Sequence, residues 1–393
     1  MKFPALRKYF LYMQVFNQLA ITSVLLFSCT VKTTNTEEKS KIAEKPIITH
    51  AKRLIIEKHD GYSHVSVINP WQGARDISQD WYLIPADRIL PSFIDTLKVI
   101  RVPVKRIICM STTHLSMISA LEEGGSIAGF SGTGFIFNDN LLQRVIKGDI
   151  REVGYEDNLN KELILKLDPD LVMVYGIGSE STGYTGKLQE MGIRVLYNAD
   201  YLEIDPLGKA EWIKLIGTLY CRENMADSIF NNIEKEYNNL KTYVRANTLE
   251  RPKVLLGLPF KDTWYISPGN SYISTLIGDA GGEYLWNDTE SSVSMPIGLE
   301  NVFVKALSAD FWLNTGSANT RSEILSVDTR LSRLPCFKTG NLFNNNKRTG
   351  TGGGNDDWEG GCLNPHIILR DIASILHPSL FPEKELFYYK KIN

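Results

Sequence analysis

This chain of 393 residues predicts two related α/β lobes joined by one long helix and preceded by a β-rich extension. Three observations carry that prediction. Strand-like apolar runs alternate with helical stretches, the pattern of α/β folds. Their order in the middle of the chain is repeated, approximately, in its last third. Between the two copies lies the longest helical periodicity in the sequence.

The chain opens on a leader. Lys2, Arg7 and Lys8 form a basic region, Leu19 to Phe27 an apolar run, and small Ser28 directly precedes Cys29. This reads as a lipoprotein signal peptide over residues 1–28, with Cys29 acylated as the mature N-terminus. An ordinary cleaved signal peptide, or a poor membrane helix interrupted by Gln14, Asn17 and Gln18, is the blander reading. Residues 29–50, rich in Thr, Glu and Lys, read as a flexible tether that holds the folded part near the envelope.

Residues 51–103 hold short β-like runs, Arg53 to Ile56, Ser63 to Ile68 and Trp81 to Ile84, parted by turns such as His59-Asp60-Gly61. They predict an N-terminal β-meander. The first lobe spans 104–222. There a strand, Arg106 to Met110, runs through Ser111-Thr112-Thr113-His114 into a helix that stops at Gly124-Gly125. Glu162 then opens an amphipathic turn leading through Asp168-Pro169-Asp170 into the strand Leu171 to Tyr175.

The bridging helix is expected over 223–247. Ala226, Ile229, Phe230, Ile233, Tyr237, Leu240 and Val244 recur at three- and four-residue spacings. At 1.5 Å per residue that is roughly 35 Å of helix, a stiff spine that predicts little lobe closure. The second lobe, 248–393, repeats the order. Lys253 to Leu258 is the strand, a polar-aromatic loop carries Trp264 and Tyr265, and Ser271 to Ala280 is the helix before Gly281-Gly282. Glu300 opens a turn through Ser308-Ala309-Asp310 into the strand Phe311 to Leu313.

Composition narrows the function. A hydrophobic content of 43% is globular, and a net charge of −2 argues against a nucleic-acid partner. Gly129-Phe130-Ser131-Gly132-Thr133 lacks the closing glycine of a nucleophile elbow. Gly350-Thr351-Gly352-Gly353-Gly354 is followed by Asn355-Asp356-Asp357, not by the Lys-Ser/Thr of a phosphate loop, and reads as a mobile surface loop. No catalytic constellation and no zinc spacing is visible, so a binding protein is expected rather than an enzyme. Cys109 and Cys221 read as small buried residues, whereas Cys336 and Cys362 are either a disulfide or two free thiols.

Glu162 and Glu300 occupy equivalent places in the two halves. Each alone is a helix-start carboxylate favoured by a few tenths of a kcal/mol. Together they suit a two-fold symmetric partner bearing basic residues.

The chain resembles the ABC-importer substrate-binding proteins that carry ferric siderophores, haem and cobalamin. The matching stretches are Val104 to Ile108, Asn160 to Ile164, Leu167 to Val172, Met191 to Val195, Trp264 to Gly269, Asp279 to Gly282 and Leu299 to Val302. The resemblance covers roughly Pro103 to Pro378 and implies two Rossmann-like lobes bridged by one long α-helix, with ligand held between them. It further implies that Glu162 and Glu300 dock on arginines of a dimeric permease served by an ATPase. The β-rich segment before Pro103 and the glycine-rich loop are additions to that core.

Loops after equivalent strands converge on the cleft of such a fold. They nominate Thr113, His114, Ser131, Thr133, Phe135 and Tyr184 from the first lobe, and Trp264, Tyr265, Trp286, Arg348 and Trp358 from the second. Aromatic walls suit a large planar ligand, and Lys347-Arg348 would neutralise an anionic chelate. Blander readings stand beside these: Trp286 as core, His114 as a cap or core residue, and only one of Trp264 and Tyr265 facing the cleft. A bare iron or haem iron held by His114 and Tyr184 is the lesser alternative, the metal being expected inside the ligand's own chelate. The function expected is capture of a metal chelate in the periplasm, a ferric siderophore first, then corrinoid or haem, for delivery to the permease. The alternative is a surface-exposed lipoprotein that feeds an outer-membrane uptake system.

Overall fold

Alternation between buried and exposed side chains builds the first sheet. In the computed structural model, which describes residues 46–155, 158–176, 181–382 and 385–393, strands β1 (Leu54–His59) and β2 (Tyr62–Ile68) pair antiparallel across Asp60-Gly61. Gly61 supplies the positive φ, 85°, that the turn needs. β3 (Ser78–Pro85) pairs antiparallel with β2 and parallel with β4 (Val99–Val102), a strand that the sequence pattern had not separated from its flanks. The leader and Cys29 lie outside the described residues.

The first lobe is a parallel sheet of β5 (Ile107–Cys109), β6 (Ile127–Phe130), β7 (Arg151–Glu152), β8 (Leu171–Val174) and β9 (Val195–Tyr197), in the order β7-β6-β5-β8-β9. The second contains β10 (Lys253–Leu256), an antiparallel side ribbon of β11 (Thr263–Ile266) and β13 (Met295–Gly298), then β12 (Glu283–Tyr284), β14 (Phe311–Leu313), β15 (Leu342–Asn344) and β16 (Lys390–Lys391). Its main sheet runs β12-β10-β14-β15-β16, with only β16 antiparallel. Stripped of the edge strands β7 and β16, both sheets have the same four-strand order. The repeat extends to atoms. Asp170 donates its N–H to Arg106 O and accepts Lys105 and Arg106 N–H on Oδ2, while Asp310 does the same with Lys253.

The spine is a helix of 25 residues, Glu223–Asn247, that buries Ala226, Phe230, Ile233, Tyr237, Leu240 and Val244. It packs against the helices Ile213–Tyr220 and Pro365–Leu376, one preceding it and one from the end of the second lobe. The chain reverses at Cys221 (φ 54°), and a Cβ on Gly217 would stand 2.6 Å from Ala226 Cβ, so this close helix approach requires glycine. Cys221 is exposed, contrary to its reading as a buried residue, because it forms that reversal.

The end of the expected tether is pinned. Fully buried Glu211 accepts the backbone N–H of Thr49 (2.9 Å), His50 (2.7 Å) and Ala51 (2.9 Å) and pairs with Lys214 at 3.0 Å. Burial pushes its carboxyl up, yet these donors outweigh burial and hold it below its ordinary value. Glu203 accepts Lys52 and Arg53 N–H and Trp212 Nε1–H. His50 lies between Asp205 (3.3 Å) and Glu234 of the spine (2.7 Å); the bond to Asp205 leads in raising it to about 9. Residues 47–50 therefore belong to the folded body. Pro46–Asn393 is a compact unit containing the described core, so it can fold without the preceding residues.

Candidate functional site

In doubly wound sheets, ligands bind beyond the carboxyl ends of the strands where the winding reverses. Here those points are the ends of β5 and β8 in one lobe and of β10 and β14 in the other. The segments beyond the strands meet. Cys362 Sγ lies 3.8 Å from Thr113 O. Glu359 accepts Phe137 N–H at 2.7 Å and Asn138 N–H at 3.0 Å. A Cβ on Gly352 would come within 2.3 Å of Gly134 O, and one on Gly354 within 2.5 Å of Phe135 O. The loop expected to be mobile is thus docked across the seam, and its glycines permit that approach.

Behind this seam lies a cluster of buried and half-buried polar groups. Asp200, just beyond β9, is 1% exposed; its Oδ1 accepts Thr113 Oγ1–H at 3.3 Å and its Oδ2 has no partner. Burial raises its carboxyl to about 6, with Lys209 pulling the other way. Asp357, half-buried, accepts Asn345 Nδ2–H at 2.6 Å and leaves Oδ1 unpartnered; burial raises it to about 7 against the pull of the same Lys209. The Lys209 ammonium stands 5.1 Å over the Tyr272 ring. Burial pushes the Tyr272 phenol well up, and both Asp200 and Asp357 add to the rise. Asn314 Oδ1 is also buried without a partner. The cluster presents unmet acceptors near one cation, able to receive N–H and O–H donors. Among the described residues, no group of three or more His, Cys, Asp or Glu is arranged to hold a metal ion.

The nominated residues divide into three groups. Phe135 (55% exposed) and Trp358 (69%) stand open, on the first-lobe and second-lobe sides of the seam respectively. Tyr265 is exposed as well, on β11, whose alternation turns Trp264 inward. Thr113 and Ser131 are nearly buried within the seam, and the Thr133 hydroxyl donates to Glu152 at 2.9 Å. Burial pushes Glu152 up, but Gly132, Thr133 and Gly154 N–H together with that hydroxyl hold it below its ordinary value. Tyr184, half-buried, donates its hydroxyl to Tyr175 O at 3.4 Å.

The rest are corrections. His114 is fully buried in its helix, where burial lowers it to about 3 and keeps the ring neutral with neither ring nitrogen partnered, so it is not an open surface contact. Trp264 is fully buried; its indole N–H donates to Leu256 O at 3.0 Å and its ring lies 5.7 Å from Trp312. Trp286 is core beside Tyr284. Arg348 is not a free cation: Nε donates to Asp356 at 2.6 Å, and the guanidinium sits over Phe387 (4.4 Å) and Phe137 (5.2 Å). Lys347 is likewise held by Glu385. Cys336 and Cys362 are free, one packed beside β14 and the other against the helix Thr112–Ala120, so no disulfide joins them.

Glu162 and Glu300 are exposed in the first turns of the helices Lys161–Leu167 and Leu299–Ala306. Glu300 pairs with Arg330, which also pairs with Asp328 at 2.6 Å.

The profile of a family described as periplasmic binding protein matches residues 107–349. An uncharacterized lipoprotein of Methanocaldococcus jannaschii is 28% identical over 92% of this chain and 89% of its own length. In structure, a periplasmic heme binding protein from Pseudomonas aeruginosa aligns with a TM-score of 0.55 at 16% identity, over 74% of this chain and 98% of that one. A possible iron-binding (periplasmic solute-binding) protein from Staphylococcus epidermidis gives 0.52 at 17% identity, over 70% and 99%. At these identities the likeness is one of fold.

Proposed function

The chain belongs to the periplasmic binding protein family, and from that membership we propose that it is the lipid-anchored solute-binding component of an ABC importer. Its ligand is a metal chelate, a ferric siderophore before a corrinoid or haem, captured between the lobes. The supporting observation is the cluster of polar groups behind the seam, Lys209, Asp200, Asp357 and Tyr272, with one oxygen of each carboxylate unpartnered. Phe135 and Trp358 would flank the ligand at the rim. Cys29 would carry the lipid, and Glu162 and Glu300 would engage the permease dimer. The protein binds and releases its ligand without turnover.

Tryptophan fluorescence tests the ligand class, with exposed Trp358 as reporter. The chain beginning at Thr30 is titrated with a ferric catecholate, a ferric hydroxamate, haemin and cyanocobalamin, correcting for ligand absorbance. Saturable quenching by one class supports the reading and names the ligand; quenching by none removes the metal-chelate assignment. Uptake that survives Glu162→Ala with Glu300→Ala would replace permease delivery with surface capture for an outer-membrane system.

A further inference from the structure

The loop between β3 and β4 exposes three large apolar side chains, Ile89 (93%), Phe93 (72%) and Leu97 (81%). They recur every four residues. Between them Leu90 and Ile94 turn the other way and pack with Ile84 and Val99 on the sheet. The loop is therefore a fixed layer with an apolar outer side, not a loose strand of chain. Its geometry is held by Asp95, which accepts Leu97 N–H at 2.9 Å, and by Arg101 Nη1, which donates to Pro85 O (3.2 Å) and Arg88 O (2.8 Å). Arg88, Lys98 and Arg101 are exposed beside the apolar trio, with Asp87 the exposed acid whose side chain has no recorded partner in the loop.

A cavity of about 250 Å³ adjoins this loop, lined among others by Lys58, His59, Tyr62, Ser63, Arg88 and Thr218. Tyr62 joins the two features, since it lines the cavity and packs edge-to-face with Phe93, their ring centroids 6.2 Å apart. Lys58 and Arg88 supply cations, with Glu223 3.5 Å from Lys58 as the counter-charge. A cavity of mixed lining that carries two cations and one carboxylate, beside projecting apolar side chains, matches the layering of a phospholipid surface, with phosphate headgroups above acyl chains. The chain points to the same occupant. The sheet bearing the loop is the first folded element after Pro46, 17 positions beyond Cys29, and that stretch reaches at most about 60 Å when extended.

We infer that Ile89, Phe93 and Leu97, with the cavity at Lys58 and Arg88, form a docking surface for an anionic phospholipid bilayer. The three apolar side chains enter the interface and a headgroup phosphate sits in the cavity. This rests on the lipid-anchored reading, for which the surface orients the body that the lipid retains.

Flotation with vesicles tests the surface apart from the anchor, using the chain from Pro46, which carries neither leader nor Cys29. The expected result is flotation with phosphatidylcholine vesicles containing phosphatidylglycerol, weaker with phosphatidylcholine alone. Ile89→Ser, Phe93→Ser and Leu97→Ser together should lower binding about tenfold or more, with an unchanged thermal melt. Lys58→Ala with Arg88→Ala should remove the preference for phosphatidylglycerol. Absence of flotation by the unsubstituted chain overturns the inference, and so does a triple variant that floats equally well. A triple variant that floats normally but loses binding to the reconstituted permease assigns the patch to a protein and also overturns it. The mass of Cys29 in the full chain from membranes reads the anchor separately, so either idea can fail alone.

Discussion

The two lobes share four strands in one order and one acidic residue placed to cap the first of them, yet they differ in everything added to that core. The first lobe carries the pinned N-terminal sheet and leaves Glu162 exposed with no ion pair. The second carries a side ribbon, an antiparallel edge strand and a loop that crosses the seam, and it binds Glu300 to Arg330. Shared features are those the backbone needs to form a doubly wound sheet; the differing ones surround the cleft and the outer faces. Pseudo-symmetry in such a molecule is thus a property of scaffold, and asymmetry of the surfaces that meet other molecules.

The largest expected break in the comparison is Glu211→Ala, which takes their acceptor from three backbone N–H groups and its nearest carboxylate from Lys214, left with Ile47 O, where the extra sheet joins the first lobe. It should cost about 3–5 kcal/mol in urea unfolding; a loss within error would mean the sheet is held by apolar packing alone. Next come the equivalent caps. Asp170→Ala removes two backbone acceptor bonds and Asp310→Ala one, so the costs should be about 2 and about 1 kcal/mol. Equal costs would show that the second bond at Asp170 adds nothing and that the lobes use their repeat alike.

The seam has a pH dependence of definite sign. Burial raises Asp200 to about 6 and Asp357 and Glu359 to about 7. Each therefore favours the enclosed state when protonated, fully so below its ordinary value, and that contribution is lost as pH rises through 6 to 7. Hydrogen exchange at Phe137 and Asn138, corrected for intrinsic rates, should show weaker protection at alkaline than at acidic pH. Asp357→Asn with Glu359→Gln should flatten the trend, and the opposite slope would sink the argument. His50 follows the same sign at higher pH: the bond to Asp205 leads in raising it to about 9, so its contribution is complete below its ordinary value and is lost as pH rises through 9. The smallest effect expected is Arg330→Ala, an exposed residue paired with Glu300 and Asp328, whose loss should leave the urea midpoint nearly unchanged. Under the proposed docking on a permease, freeing Glu300 would make the two lobes more alike.

Much of the scaffold was legible in the sequence because periodicity reports local burial. The spine's apolar positions were read from their spacing, and all but half-buried Ile229 are buried along it. Asp170 and Asp310 were visible as repeated punctuation before a strand. The polar cluster was not legible, because Asp200, Lys209, Tyr272 and Asp357 come from four separate segments that only packing assembles. Trp264 and Trp286 misled for the related reason that an aromatic looks the same in a sequence whether it walls a cleft or fills a core. The Asp after Asn355-Asp356 carried a signal, a run of acids beside glycines, but nothing local said that it would be enclosed.

The helix reversal at Cys221 has a practical side. Burial pushes the Cys336 and Cys362 thiols up to about 12 and that of Cys109 higher still, whereas Cys221 is exposed. Among the described residues the molecule thus offers one thiol that an alkylating dye can reach, at the foot of the spine and on the rim of the cavity beside the apolar loop. Adding Ser317→Cys, an exposed position in the second lobe, would complete a donor–acceptor pair without removing any native cysteine. Single-molecule energy transfer between the two would then follow the lobes one particle at a time.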